Sequence, residues 1–449
     1  MWITLAILAT AALALSAVLS LHKWESRRFV RRGLTNRVQR DEAIQAVLIV
    51  PCKGIDIGQV ENLRALFEQR QIDYQLRLVV EDERDSAAEL IAALQAEFPH
   101  VRSELLIAGR AIESGQKVHN LLIATENLPA DVNVLAFADS DARPGPDWLA
   151  ALVSRLNELQ IGARTGYRWM VPERMTWPNL LVYSINCSVA SMYSRHRLNA
   201  VWGGAWAIRR ELFEQVGIRE AWAGTLSDDL VVTRVLRASG LQIEFEPRCL
   251  TASPVDMTAR EAVNFLRRQF LLVRRYAPLH WWLALAGSSL LQGGLWGAAV
   301  LTLGSAIAGQ AWWLPGLMGL TLYVLAMFRG WLGQSAFRAR LAGHESKLAS
   351  PRRFDILLGP LAGVCGWLTM LSSLVGSSMT WRGIRYWISP GGRVLLLGRV
   401  VEAGSLSGAI RMPGRSSGDK ALEIQRRALE RGIRLHDAAT EVPRDRKAA

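Results

Sequence analysis

Cysteine is scarce and scattered in this sequence. Four cysteines occur in 449 residues, and no two of them have C-x-x-C spacing. Zinc sites and disulfide frameworks need closely spaced or paired cysteines, so we expect neither, and the thiols favour a reducing compartment. The four are Cys52, Cys187, Cys249 and Cys365.

Residues 2–21 form an apolar run. A secretory signal peptide is one interpretation of such a run, but the basic start and the small-residue cleavage site of a signal peptide are missing. A run of roughly 20 apolar residues crosses a bilayer as a helix. We therefore predict a transmembrane anchor over residues 1–22 and a basic juxtamembrane segment over 23–43. By the positive-inside rule that segment is cytoplasmic, and its charges could also bind anionic headgroups. They are Lys23, Arg27, Arg28, Arg31, Arg32, Arg37 and Arg40.

The composition is unusual for a purely soluble enzyme. Half of the residues are apolar, 17 are Trp, and the formal net charge is +13. Such an excess of positive charge suits either nucleic acid or an anionic membrane surface. Because basic residues cluster beside an apolar run, we expect a membrane bilayer and no nucleic acid as partner.

Residues 44–262 have the pattern of a soluble α/β domain. Short apolar runs rich in strand formers alternate with stretches of helical spacing, which predicts βαβ units and a mainly parallel sheet. Ligands of such sheets bind at the carboxyl ends of the strands. The predicted strands include residues 46–50, 76–80 and 132–138, and the predicted helices include 61–69 and 117–127.

The chain becomes apolar again over residues 281–380, where we predict two or three membrane spans. The candidates are residues 281–309, 311–328 and 356–378. Three crossings would place the arginines of "WRGIRYWISPGGR" outside, against the positive-inside rule. Either residues 356–378 re-enter without crossing, or the number of spans differs. Residues 381–449 are predicted to be a basic, partly flexible tail.

Two aspartates separated by one residue, Asp139 and Asp141, end the third predicted strand. Side chains at i and i+2 of an extended segment point the same way, so the two carboxylates make a hard-oxygen site suited to Mg²⁺ or Mn²⁺. Such an ion can bridge a diphosphate and offset the charge on a leaving group. A solvated turn, with one aspartate capping the next helix, is the alternative.

Two further acidic motifs have both a functional and a local explanation. Asp228 and Asp229 begin an amphipathic helix, where one could be a general base or both could serve the helix N-terminus. Glu81, Asp82 and Asp85 follow the second strand, where they could accept hydrogen bonds from a base or ribose or form an ordinary polar turn.

Paired glycines flanked by tryptophans occur in "WGGAW". Gly203 and Gly204 would let the backbone approach a ligand closely, and Trp202 and Trp206 could stack on a sugar or an apolar chain. Core packing of both tryptophans is the alternative. After this motif, residues 263–280 are amphipathic, basic and aromatic-ended, which predicts an interfacial helix whose arginines could also reach diphosphate oxygens.

The order of these motifs resembles membrane-bound family 2-type inverting glycosyltransferases, most closely the ceramide glucosyltransferase-like group, over about residues 44–280. The resemblance implies a GT-A type nucleotide-sugar-binding domain between N-terminal and C-terminal transmembrane helices. It implies metal ligation by Asp139 and Asp141, and Asp229 as the catalytic base. Acceptor-side residues would be Trp202, Gly203, Gly204, Trp206 and Asp228, and nucleotide-sugar-binding residues would be Pro51, Lys53, Glu81, Asp82, Asp85, Lys117, Asp139, Arg268 and Gln269.

One departure from the family pattern concerns its (Q/R)xxRW motif. In its place stands "RRQFLLVRRY", in which Arg268 with Gln269, or Arg275 with Tyr276, are the candidate substitutes at a different spacing.

The resemblance implies an enzyme with its catalytic domain in the cytoplasm, bound to a multi-pass membrane region. It would transfer a sugar from a UDP-linked donor to a lipid hydroxyl, such as that of ceramide, with Mg²⁺ or Mn²⁺. The alternatives are a processive β-glycan synthase and a non-catalytic membrane scaffold or lipid-binding protein. The oligomeric state stays open.

Overall fold

The computed structural model describes residues 2–35, 43–56, 58–195 and 199–399, with the backbone alone for residues 2–6. A mixed sheet of seven strands forms the centre of an α/β domain, as predicted. Four long apolar helices and a small antiparallel sheet complete the described chain.

The large sheet has the strand order β3-β2-β1-β4-β6-β5-β7. Strands β1 to β4 are mutually parallel, β6 runs antiparallel to both of its neighbours, and β7 pairs in parallel with β5. The strands are β1 (Gln45–Pro51), β2 (Asp73–Val80), β3 (Ser103–Ile107), β4 (Val134–Ala138), β5 (Ile161–Pro172), β6 (Ala205–Arg209) and β7 (Gln242–Val255).

Helices cover both faces of this sheet, because its central strands are apolar on both faces. In β1, Ala46, Leu48 and Val50 pack into one core cluster, whereas Val47 and Ile49 pack into another on the opposite face. The helices of the domain are α2 (Gln59–Phe67), α3 (Ser86–Glu97), α4 (Gln116–Ala124), α5 (Trp148–Val153), α6 (Trp177–Ala190), α7 (Arg210–Gln215), α8 (Ile218–Trp222) and α9 (Asp228–Ala238).

A helix is present where residues 263–280 were expected to form one, but its boundaries differ from those predicted. Helix α10 (Ala259–Tyr276) begins earlier, because Thr258 and Glu261 form a reciprocal capping box at its N-terminus. It ends before Pro278, which opens the next helix.

Four helices are long and apolar enough to cross a membrane: α1 (Trp2–Thr35), α11 (Pro278–Ile307), α12 (Trp313–Phe337) and α13 (Glu345–Ser372). The first three pack closely through small residues. A Cβ atom on Gly294 of α11 would lie 2.8 Å from Cβ of Ala12, and one on Gly319 of α12 would lie 3.3 Å from Cβ of Ala298.

Helix α13 contacts the sheet domain near its start, and the segment that follows it contacts α10. Near its start, Lys347 pairs with Glu173, directly after β5, at 2.6 Å. Just beyond its end, the carbonyl oxygen of Val375 accepts a hydrogen bond of 2.6 Å from Arg267 of α10. A helix of 28 residues is about 42 Å long, so α13 lies along the domain.

The predicted flexible tail contains a folded segment, so the boundary at residue 381 is wrong. Strands β8 (Ser378–Trp381), β9 (Ile384–Ile388) and β10 (Val394–Arg399) form an antiparallel sheet. It is ordered because apolar side chains on one face, including those of Ile384 and Ile388, pack into the core of the sheet domain. The remainder of the predicted tail lies outside the described residues.

Candidate active site

A cavity of about 650 Å³ opens at the carboxyl edge of β1 and β4, beneath α10 and the turn between β8 and β9. This is the edge at which ligands of parallel sheets bind. It brings together about half of the residues predicted from the sequence. Those that line it are Pro51, Lys53, Lys117, Asp139, Asp141, Arg268 and Gln269.

Arg168 joins the two aspartates that follow β4. Its guanidinium nitrogens lie 3.3 Å from Oδ2 of Asp139 and 3.3 Å from Oδ2 of Asp141. Arg168 belongs to β5, and sequence reasoning missed it. The signal available was a lone arginine within the strand-forming run "TGYRWMV".

Lys117 links the aspartates after β4 to those of α9. Its Nζ lies 2.8 Å from Oδ1 of Asp139 and 3.1 Å from Oδ2 of Asp228, and it donates a hydrogen bond of 3.3 Å to the carbonyl oxygen of Gly203. Burial lowers the pKa of Lys117, but the surrounding aspartates raise it overall. For Asp139, burial raises the pKa, whereas Lys117 and Arg168 lower it, with the net result below its ordinary value. The pair is therefore ionised at neutral pH.

The two aspartates of α9 lie behind Lys117 and Gly203, and neither is among the residues that line the cavity. Asp228 is 3 % exposed, and burial raises its pKa to about 6 against the lowering effect of Lys117. Asp229 accepts hydrogen bonds from Ser227 Oγ (2.7 Å), the Leu230 amide (2.8 Å) and the Gly203 amide (3.2 Å). Its carboxylate is thus held by the helix N-terminus and by the glycine motif.

The paired glycines are needed because charged groups crowd against the backbone. A Cβ atom on Gly203 would lie 2.7 Å from Oδ2 of Asp228 and 2.8 Å from Nζ of Lys117. On Gly204 it would lie 2.8 Å from Oδ2 of Asp139 and still closer to the ring of Trp202. The motif therefore allows the two acidic motifs and the lysine to meet.

The two tryptophans of "WGGAW" lie on opposite faces of the sheet. Trp202 is 8 % exposed and packs beside the site, with Cζ of Arg168 5.0 Å from its ring centroid. Trp206 is fully buried in the other core cluster and stacks on Phe137 at 4.1 Å between ring centroids. The predicted acceptor contact of Trp206 is therefore wrong, since β6 directs this ring away from the cavity.

The acidic residues after β2 contact the loop that follows β1 and residues of their own turn. Glu81 pairs with Lys53 at 2.6 Å and also with Arg399. Asp85 caps α3 and accepts a hydrogen bond of 2.8 Å from the Gly54 amide. Asp82 accepts one from the Arg84 amide within its own turn. None of these three acids is among the cavity-lining residues. In this geometry they are therefore not placed to contact a nucleotide in the cavity directly, contrary to the prediction from the sequence.

Of the two candidate substitutes for the (Q/R)xxRW motif, the first faces the cavity. Arg268 and Gln269 both line it, whereas Arg275 donates a hydrogen bond to Ser377 Oγ at the start of the small sheet. Arg268 is stacked between two aromatic rings, those of Phe265 and Trp381, each at 5.4 Å from Cζ to the ring centroid.

The aspartates after β4 could hold a divalent ion only together with other ligands. Within the described residues, no group of three or more His, Cys, Asp or Glu side chains is arranged so that it could hold a metal ion. Mg²⁺ is commonly bound by one or two carboxylates plus substrate phosphates. Oδ1 of Asp141 is buried without a hydrogen-bond partner, which leaves an oxygen available for such an ion. The donor set fits a metal that arrives with, and is completed by, a phosphorylated substrate.

Comparison with known proteins places the chain among sugar transferases. The model of glycosyl transferase family 21 matches residues 4–394. Among solved structures, a mannosyltransferase from Pyrobaculum calidifontis, in complex with GDP-Man and Mn²⁺, is 17% identical, with a TM-score of 0.45, over 82% of this chain and 97% of that one. GalNAc-T7, solved with UDP, GalNAc and Mn²⁺, is 11% identical, with a TM-score of 0.37, over 57% and 55% of the two chains.

Proposed function

Because the chain belongs to glycosyl transferase family 21, we propose that it transfers a sugar from a UDP-linked donor to the hydroxyl group of a membrane lipid, such as ceramide, with inversion at the anomeric carbon. The observation that carries this proposal is the junction at Lys117, which joins the acidic pair after β4 to the acidic pair of α9. A cavity lined by the first pair, with the second pair directly behind Lys117 and Gly203, suits a diphosphate leaving group close to a base for the incoming hydroxyl.

The donor diphosphate would bind among the cationic side chains of the cavity. Lys53, Lys117, Arg168 and Arg268 all line it, and guanidinium groups bind phosphate oxygens with two parallel hydrogen bonds. Asp139 and Asp141 would hold Mg²⁺ or Mn²⁺. The ion, when bound, would offset the charge that develops on the departing diphosphate.

Asp229 would accept the proton of the acceptor hydroxyl. Its carboxylate accepts hydrogen bonds from three donors, which fix its orientation, and a base must be positioned in this way. The hydroxyl oxygen would attack the anomeric carbon from the face opposite the diphosphate, so an α-linked donor yields a β-glycoside. Asp228, paired with Lys117, would position that lysine against Asp139.

A lipid acceptor is supported by what surrounds the cavity. Part of its wall is apolar, with Met170, Val255, Met257 and Phe265 among the lining residues. Phe265 belongs to α10, which packs against both α11 and α13. An amphiphile could therefore keep its chain among the apolar helices while its hydroxyl reaches the cavity.

The catalytic domain would lie on the cytoplasmic side. Basic residues are frequent at every point where an apolar helix meets the sheet domain: at the end of α1, and again between α12 and α13. This distribution agrees with the positive-inside rule for a cytoplasmic domain.

The test is the Asp229→Asn substitution in the purified full chain, assayed for UDP release from UDP-sugars with ceramide and with a lipid extract. We expect turnover to fall by at least about a hundredfold, because general bases contribute about 10²–10⁴-fold, while UDP affinity stays near that of the wild type. Asp131→Asn is a matched control, since Asp131 is exposed and pairs only at 3.7 Å with Arg102. Near-normal turnover by Asp229→Asn would remove this residue from its role, and full activity in EDTA would exclude the metal.

A further inference from the structure

Three guanidinium groups from three different elements converge on the cavity. Arg168 comes from β5, Arg268 from α10, and Arg382 from the turn between β8 and β9. Arg168 is shared by the aspartates after β4, and Arg382 pairs with Asp56. Among the residues that the structure describes, no carboxylate lies within ion-pair distance of Arg268. Its guanidinium group lies over the rings of Phe265 and Trp381.

This arrangement has an electrostatic cost when no anion is present. Burial lowers the pKa of Arg268 to about 10, and the charges of Arg168 and Arg382 add to that lowering. Like charges brought together in a partly enclosed site destabilise one another, and a multivalent anion between them removes that penalty. A diphosphate carries the charge and the number of oxygens to serve several guanidinium groups at once.

The position of Arg382 in the backbone gives a second, independent indication. Arg382 and Gly383 are the two central residues of the hairpin that joins β8 to β9, and their φ angles are +49° and +73°. A two-residue turn with two positive φ angles favours Asn-Gly or Asp-Gly. An arginine at the first position is strained in the left-handed region. The turn therefore has a residue that its own conformation disfavours, with its side chain directed to the cavity.

Hydrogen bonds of two tyrosine hydroxyl groups attach the small sheet that carries this hairpin to the rest of the protein. The Tyr386 hydroxyl accepts a hydrogen bond of 3.2 Å from the Gln116 amide, directly beside Lys117. The Tyr276 hydroxyl of α10 accepts one from the Leu226 amide and donates one to the Gly392 carbonyl oxygen, each 2.8 Å long. These hydrogen bonds fix the position of the small sheet relative to α4, α10 and the segment before α9.

We propose that the β8–β9 hairpin is a wall of the donor site, in which Arg382 binds the diphosphate and Trp381 holds Arg268 ready to bind it too. This rests on the proposed function, because it assumes a nucleoside diphosphate donor. Trp381 takes the place of the tryptophan missing from the (Q/R)xxRW position, but it is supplied by a segment more than a hundred residues further along the chain. On donor binding, Arg382 exchanges Asp56 for phosphate oxygens.

The first experiment separates binding of the diphosphate from preservation of the fold. The Arg382→Asn variant removes the guanidinium while placing a favoured residue in the turn, so its thermal stability should equal or exceed that of the wild type. By titration calorimetry of the full chain in lipid nanodiscs, UDP affinity should fall about tenfold, the typical effect of losing a hydrogen bond to a charged group. UMP affinity should change less than about twofold, because UMP lacks the second phosphate.

The matched control is Arg385→Asn, because Arg385 is an exposed arginine of β9 outside the cavity lining. It should bind UDP and UMP as the wild type does. Unchanged UDP affinity in Arg382→Asn, or an equal loss for UDP and UMP, would overturn the assignment of Arg382. If the wild type itself preferred neither UDP over UMP nor GDP over GMP, the proposed function would fail instead.

The second experiment tests the role of the tryptophan. Trp381→Leu removes the ring that lies against Arg268, and UDP affinity should fall several-fold with little change for UMP. Trp387→Leu on the same small sheet is the control, since Trp387 is 39% exposed and does not line the cavity. In the double variant Arg268→Ala, Trp381→Leu, the loss should not exceed that of Arg268→Ala alone. Additive losses would show that Trp381 acts independently of Arg268.

Discussion

Lys117 shows how single residues shape this site. It contacts Asp139 of one acidic motif, Asp228 of the other, and the backbone of Gly203 between them. Removing any neighbour would leave a charge in a partly buried setting without its partner, which is costly. The predictions at the residue scale therefore concern the groups packed around Lys117.

The first prediction concerns Gly204. In Gly204→Ala, the new Cβ would lie 2.8 Å from Oδ2 of Asp139 and would overlap the ring of Trp202. Overpacking of this kind costs about 1–3 kcal/mol, and the carboxylate must move. We expect donor turnover to fall at least tenfold, measured by UDP release. Gly343→Ala should leave turnover unchanged, since its new methyl group would meet no atom within 4 Å beyond its chain neighbours.

The second prediction concerns the pH dependence of stability. The pKa of Asp228 is raised from 3.8 to about 6, so between these values the folded chain binds a proton that the unfolded chain has released. Its contribution to the free energy of unfolding therefore falls as the pH rises through this window, by at most about 1.4 kcal/mol per pH unit. Lys117, Asp229 and Asp139 face this carboxyl group.

Asp228→Asn should remove this contribution. The apparent Tm of the variant, relative to that of the wild type, should increase from pH 4 to pH 6 in scanning fluorimetry. A Tm difference that stays constant across this range would show that Asp228 titrates at its ordinary pKa.

At the scale of elements, α13 is the apolar helix whose contacts differ most from those expected of a membrane span. Its composition suits a membrane span, but polar contacts hold its middle against α6 and α12. Asp355 accepts hydrogen bonds of 2.6 Å from Ser184 Oγ and from Gln334 Nε2. The contacts of Lys347 near its start and of Asp355 in its middle thus favour a course along the sheet domain.

The third prediction follows from this course. Single cysteines at Gly343 and Gly391, which precede and follow α13 and are exposed, should react with a membrane-impermeant maleimide from the same side. A cysteine at Gln310, between α11 and α12, should react from the opposite side. The background is Cys365→Ser, because the other three cysteines are buried. Labelling of position 391 together with position 310 would mean that α13 crosses the bilayer.

At the scale of the whole molecule, three of the four apolar helices pack directly against one another. Close contacts at Gly287, Gly294 and Gly319 bring α1, α11 and α12 together within the described part of the chain. Because small residues let these helices approach closely, we expect no passage between them for a growing sugar chain.

The fourth prediction concerns the number of sugars in the product. With a lipid acceptor in nanodiscs and excess donor, mass spectrometry should detect acceptors that carry one sugar. A ladder of longer products would favour the processive β-glycan synthase that the sequence left as an alternative.

Several parts of the site were predictable because they depend on local pattern. Apolar runs of strand length followed by acids predicted which side chains would meet at the sheet edge, and Asp139, Asp141, Lys53 and Lys117 do line one cavity. Carboxyl ends of parallel strands meet at one edge whatever the remaining contacts are. The start of α9 at Asp228 is local for the same reason.

Other parts depended on contacts between distant segments. Arg168 reaches the aspartates because β5 lies in the same sheet as β4, separated by β6, an order that hydropathy does not reveal. Trp206 packs in the core, which the sequence offered as the alternative to an acceptor contact. Trp202 precedes β6, so period-two alternation does not relate the two rings. The small sheet falls within the predicted tail because its strands are short and the segments that join them consist largely of Arg, Gly and Ser.

By itself, the sequence determined the α/β domain, the acidic residues at the sheet edge and the apolar helices, because periodicity and hydrophobicity act over a few neighbouring residues. Only the tertiary structure decided the path of α13, the face that Trp206 occupies, and the arrival of Trp381 and Arg382 at the cavity. Those depend on packing free energies between segments far apart in the chain, which no local pattern contains.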